Sequence, residues 1–188
     1  MTLAVPVFDE ATHTYTTPDG IPLISVTQAL VSAGIIDTRW FDEQSAWRGS
    51  VIHKVCEYDD LGILKESSVD PAAIGYLDSW REWKARTGFK PKRVEQPTYH
   101  PQYGYAGTPD ADDDLWDVDR KTGACADWHA LQLALYSNFH ANARARRRII
   151  VRLQPNGKPI TQEYTKDYAR NLAIGLSAVN VARWKRER

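Results

Sequence analysis

The sequence predicts a layered α/β domain from three features: capped helices in its first half, strand-like segments in its second, and an amphipathic helix set between two of those strands. Its 188 residues fit a single domain spanning 1–188. Residues 5–8 and 13–16 read as short strands, and the Pro18-Asp19-Gly20 turn leads into a third over 21–24. Ser25 with Gln28 three residues on is a capping box, opening a helix through Val31. Asp42 is placed to cap a longer helix from about residue 43 to 61, with Gly62 as its stop. Asp70 as cap and Pro71 in the first turn start a third helix, which Gly88 closes.

The texture then changes. Val94, Pro97, Tyr99, Tyr103 and Tyr105 with interspersed glycine read as strands and turns, and residues 115–119 as another strand. Asp127 is expected to cap a helix running to about Asn142, with Leu131, Leu135 and Phe139 on its buried stripe. Strands over 148–153 and 160–164 are joined by the Pro155-Asn156-Gly157 turn. A last helix starts near Lys166 and ends in a basic turn that suits its dipole.

Composition narrows the function classes. Apolar residues make up 43% and charged residues 26%, as expected of a soluble globular chain. Only Cys56 and Cys125 are present, too few for a four-cysteine zinc site or an iron–sulfur cluster. Without a disulfide framework, a reducing compartment is the default. No apolar run approaches the ~18 residues that span a bilayer, and no charged segment precedes an apolar one at the N-terminus. A cytoplasmic protein that avoids the membrane is therefore expected. Lys plus Arg equals Asp plus Glu at 24 each, which runs against the basic excess usual in nucleic-acid proteins. Acidic groups gathered at a metal site, with basic ones elsewhere, reconcile the two.

The chemistry concentrates in Gly107-Thr108-Pro109-Asp110 and, nine residues after that aspartate, Asp119-Arg120-Lys121. Charge in a β-rich segment is costly to desolvate unless it is paired or bound to metal. Two carboxylates on adjacent strands suit Mg²⁺, a hard ion that prefers oxygen ligands; Mn²⁺ is expected to substitute. Asp119 and Lys121 are two apart, so an extended strand points both to one face. An ammonium there can stabilise charge on a phosphate or help orient and deprotonate a water nucleophile.

The Pro109-Asp110 and Asp119-x-Lys121 pair resembles the signature of the PD-(D/E)XK nuclease superfamily. Gly49-x-x-x-His53 upstream and Gln132-x-x-x-Tyr136 downstream resemble its RecB-like and phage (lambda-type) exonuclease branch. Phe8-Asp9-Glu10, His13, Tyr15, Asp19-Gly20 and Ser25-Val26-Thr27 are similar to the opening of the phage members. The resemblance implies a restriction-endonuclease-like core, a central mixed β-sheet flanked by helices. It implies Asp110 and Asp119 as metal ligands, Lys121 as the catalytic lysine and His53 as a further ligand. Glu95, in the strand before the motif, would support the metal or the lysine, and Gln132 and Tyr136 would line the site. Arg120 stands where relatives carry an apolar or aromatic residue, and is expected to point away from the site. The implied activity is a Mg²⁺-dependent deoxyribonuclease, foremost an exonuclease processing duplex ends for recombination or repair. Its partners would be DNA and a single-strand annealing protein, in the host cytoplasm if phage-encoded, and relatives of this kind form homo-oligomers. The alternatives are a structure-specific endonuclease of the same fold, or an inactive DNA-binding or assembly protein.

Residue by residue, other readings stand beside these. Asp110 alone is a turn residue, and Asp112, Asp113 and Asp114 read as solvated loop charge. His53 alone reads as a satisfied histidine; Glu57 at i+4 either orients it or pairs with Lys54. Gln132 and Tyr136 also fit as ordinary polar residues at a helix boundary. Arg144, Arg146 and Arg148 follow a phosphate backbone or line a solvated strand edge. Trp80, Trp83 and Trp184 read as core or interface anchors.

Overall fold

A computed structural model of the chain describes residues 3–40 and 43–188, so the expected cap at Asp42 lies outside the described residues. β1 (Val7–Asp9), β2 (Thr14–Thr16) and β3 (Pro22–Ser25) form an antiparallel meander. The Ser25/Gln28 capping box then opens α1 (Val26–Ser32), with both reciprocal hydrogen bonds made. α2 (Glu43–Asp60) stops at Gly62, whose φ of 69° is left-handed. α3 (Pro71–Thr87) starts on Asp70, which accepts from Ala72 N, and ends on left-handed Gly88. These caps are local, so they were readable from local sequence.

The remaining elements are β4 (Arg93–Val94), β5 (Thr98–His100), β6 (Tyr105–Gly107), β7 (Ala111–Asp112), β8 (Trp116–Lys121), α4 (His129–Ser137), β9 (Arg147–Arg152), β10 (Ile160–Glu163) and α5 (Tyr168–Arg186). The strands divide into two five-stranded mixed sheets, ordered β1-β2-β3-β6-β5 and β10-β9-β8-β7-β4, with five helices flanking them. The expected α/β class with mixed strands between helices is observed. The parallel pairs are β3 with β6 and β8 with β9, the latter joined through α4.

The helix expected from Asp127 to Asn142 is shorter at both ends. Asp127 does not cap it; the His129 imidazole instead accepts from Ala126 N–H at 3.0 Å. After Ser137 the chain tightens, with His140 N bonding Ser137 O, and a 3₁₀ turn follows at Ala143–Ala145.

Two main apolar clusters hold the layers together. One packs Trp80, Trp83 and Phe89 against Val118, Ile149 and Val151, binding α2 and α3 to the second sheet. The other packs Leu30 of α1, Leu131 and Leu135 of α4 and Val179 of α5 around Tyr105. Trp80 and Trp83 are core as expected, whereas Trp184 is 52% exposed, with the Arg188 guanidinium 4.0 Å from its ring. Among the described residues, no helix is long and apolar enough to cross a membrane.

Candidate active site

The β7–β8 hairpin builds the site. It pairs Asp112 with Asp117 and Ala111 with Val118, and its next step sets Asp110 beside the following turn of β8. There the Asp110 carboxylate accepts from Arg120 N–H at 2.6 Å. α2 supplies His53, whose Nδ1 lies 3.5 Å from Asp110 Oδ2 and 3.9 Å from Glu95 Oε1. Glu95 is not within a strand but just past β4. Its φ of 45° is a left-handed backbone that a non-glycine residue holds only under local constraint.

His53, Glu95 and Asp110 therefore converge, with one ligand atom from each within 4.8 Å of the others. The expected set of His53, Asp110 and Asp119 is only partly brought together. Glu95 lies inside the group, and Asp119 lies beside it, paired with Lys121 Nζ at 2.7 Å. Asp119 and Lys121 do share a strand. Asp119 Oδ2 is buried and accepts no hydrogen bond of normal geometry. Lys121 Nζ also sits 5.9 Å from the centre of the Trp128 ring.

The electrostatics follow from this crowding. Burial by itself lowers the His53 pKa, but the adjacent Asp110 and Glu95 carboxylates raise it to about 9. Asp110 is pressed well below the usual carboxylate range by His53 and Arg120, against the opposing effect of burial. Burial pushes Asp119 up to about 6 although Lys121 pulls it down, and burial likewise raises Glu95. Burial disfavours the Lys121 ammonium, yet Asp119 and Asp110 keep its pKa above the ordinary lysine value.

Gln132 and Tyr136 are buried on α4, with Gln132 Nε2 donating to Tyr136 Oη at 3.3 Å. The Tyr136 ring packs on Gly107, where an added Cβ would lie 2.6 Å from Cε1. Gly107 thus lets this helix approach the strand leading to Asp110. A cavity of about 450 Å³ opens beside the acidic group, bounded by Phe8, Tyr15, Lys54, Glu95, Asp110 and Tyr136. A larger groove of about 660 Å³, lined by Tyr99, Phe139, Arg144, Tyr168 and Leu172, holds none of these acidic residues.

Several expectations are corrected. Arg120 does point to the opposite face from Asp119 and Lys121, but it does not leave the site's charges; fully buried, it donates to Glu95 Oε1 at 2.8 Å and to Asp110 O at 3.2 Å. Arg146, just before β9, and Arg148, on that inner strand, are 2% and 5% exposed, and neither is available to a phosphate backbone. Arg146 bonds Asp117, and Arg148 bonds Ala143 O; only Arg144 of the three is exposed. Asp112 is buried against Arg93 and Arg146 rather than solvated, whereas Asp114 is exposed and pairs with Lys92. Glu57 pairs with Lys54 at 2.7 Å. Asp60 was missed: its carboxylate binds Arg120, Lys84 and Trp80 Nε1 beneath the site. Asp60 at the end of α2, with Arg120 in the motif, offered a charge pattern but no sequence spacing that could join them.

No protein-family model and no curated protein matches the chain. Among solved structures it is similar to LHK-Exo, solved in complex with dAMP, at 10% identity over 88% of each chain with a TM-score of 0.45. A likeness that distant carries no functional weight.

Proposed function

We propose that this chain is a divalent-metal-dependent nuclease with a restriction-endonuclease-like core, acting on DNA through a single domain over 1–188. The observation that carries the reading is the convergence of His53, Glu95 and Asp110 beside the Asp119–Lys121 pair, at the edge of a cavity. The donor set fits a small hard cation: two carboxylates and one imidazole, with the buried Asp119 carboxylate, ion-paired to Lys121, beside them. His53, Glu95 and Asp110 would hold such an ion, with Asp119 adjacent; Mg²⁺ is the proposed ion and Mn²⁺ the substitute. When bound, it supplies charge neutralisation to a phosphate and acidifies a nearby water.

The chain's own groups divide the remaining work. Lys121 is held charged by Asp119 and Asp110, which suits it to stabilise negative charge on the scissile phosphate rather than to accept a proton. Asp119 fixes that ammonium in place. Tyr136 walls the cavity from the α4 side, and Gln132 donates to its hydroxyl from behind. End-directed digestion for recombination or repair, a single-strand annealing partner and a homo-oligomer are the finer parts of the same proposal.

Digestion of end-labelled linear duplex and closed circular DNA, in Mg²⁺ or EDTA, tests it with wild type and Lys121→Ala. Mg²⁺-dependent loss of linear DNA alone is expected, slowed by about 10²–10³ in the variant. Cutting of the circle would move the reading to endonuclease. No cleavage in either Mg²⁺ or Mn²⁺ would leave a DNA-binding or assembly protein.

A further inference from the structure

Between Asp119 and Lys121 on β8, Arg120 sends its side chain the other way, into the layer of α2 and α3. The guanidinium is fully buried, with its carbon 5.2 Å from the centre of the Trp80 ring. NH1 donates to Asp60 Oδ2 at 3.0 Å, and NH2 donates to both Glu95 Oε1 and Asp110 O. Nε is 3.8 Å from Asp110 Oδ2 and has no hydrogen-bond partner. The backbone N–H of the same residue donates to that Asp110 Oδ2 at 2.6 Å. One residue thus grips two of the three converging groups from beneath, and Asp60 anchors it to the end of α2.

Glu95 needs that grip. Its left-handed backbone is held by its own N–H donating to Asp110 O at 3.1 Å and by the Arg120 fork on its carboxylate. Half-buried at the cavity edge, Glu95 would otherwise turn towards solvent and leave the acidic group. The planar fork matters because it reaches Asp60 and Glu95 at once; a lysine ammonium is a single point and reaches one.

Resting on the metal-site reading above, we propose that Arg120 is a positioning residue that assembles the cation-holding group from below by fixing Glu95 against Asp110. It touches neither substrate nor reacting atoms. Its effect is on the affinity of the site for a divalent ion, through Glu95.

The test is direct Mn²⁺ titration, followed by the electron paramagnetic resonance of the free ion, on wild type, Arg120→Lys, Glu95→Gln and the double variant. Thermal melting in EDTA shows that each is folded at the titration temperature. Arg120→Lys is expected to weaken Mn²⁺ binding about 10–100-fold, as loss of a group orienting a ligand does. Glu95→Gln should weaken it comparably, and the double variant no further, because both act through one contact. Wild-type affinity in folded Arg120→Lys, or additive losses in the double variant, would overturn the proposal. If Arg120→Lys fails to fold, Glu95→Gln decides, and an unaltered affinity there overturns it. A wild type that binds no Mn²⁺ removes the metal site and this proposal together. Mn²⁺ binding without DNA cleavage removes only the nuclease reading, and the same variants still decide the part of Arg120.

Discussion

Among the described residues stand two clusters of two carboxylates and one histidine, built on the same hairpin and facing different fates. His53, Glu95 and Asp110 form one; Asp112, Asp117 and His140 form the other, also with ligand atoms within 4.8 Å. In the second, Arg146 fills the space. Its Nε donates to both Asp117 oxygens at 2.9 and 2.8 Å, and NH2 donates to Asp112, Asp113 O and Trp116 O. Ser137 completes Asp117 at 2.5 Å, and Arg93 completes Asp112. The first cluster instead borders a cavity, has the Asp119–Lys121 ion pair beside it and is gripped by Arg120 from below. Residue types do not separate a metal site from an internal ion-pair network; what separates them is whether cationic side chains already occupy the acceptors.

The largest expected effect tests the closed cluster. Arg146→Ala leaves Asp117 and Asp112 buried without their main counter-charge, and should cost about 3–5 kcal/mol of stability in denaturant unfolding. Mn²⁺ affinity of whatever remains folded should be unchanged; a loss there would mean that the two clusters are not separate.

Acid reaches the closed cluster next. Burial pushes His140 down to about 4, helped by Arg146 and Arg93 and opposed by Asp117; burial, with Lys121, does the same at His129. Both imidazoles are neutral when folded and take up protons on unfolding below about pH 6.5. Their stabilisation is therefore full above pH 6.5 and declines as pH falls towards 4, by up to about 3 kcal/mol for each. Chemical denaturation across that range should show the decline, and His140→Gln should flatten part of it.

The open cluster predicts a smaller effect on stability. In EDTA, Asp119→Asn should leave unfolding within about 1 kcal/mol of wild type or raise it, since burial, with Asp110 beside it, disfavours the carboxylate more than Lys121 favours it. The same variant should lose nuclease activity. A large destabilisation would assign Asp119 to structure, as at Asp117. Smallest is Arg144→Ala, with melting unaltered within about 0.5 kcal/mol and the salt slope of DNA binding lowered by about one. An unchanged slope would remove Arg144 from the DNA contacts.

Much of this is legible in the sequence. The capping box at Ser25, the Asp70-Pro71 start and the Gly62 and Gly88 stops are written in adjacent residues, and each forms as read. Asp119 and Lys121 share a face because a strand alternates. The start of α4 differs because Asp127 looks like a cap, while the imidazole two residues on accepts from the half-buried Ala126 N–H. Arg148 differs from the expectation because an inner strand and an edge strand have the same alternating sequence, and Arg146 because its partner Asp117 lies on another strand.

By itself, the sequence determined the local elements, the spacing that brings Asp110 beside β8, and the pairing of carboxylate with lysine two residues on. The tertiary structure alone decided which acidic group stays open, and that Arg120 and Asp60 meet beneath it with Arg120 bonded to Glu95. The physical reason is range. Caps, turns and strand alternation act over a few residues, whereas the neutralisation of a buried charge depends on groups sixty residues away in the chain, from Asp60 to Arg120.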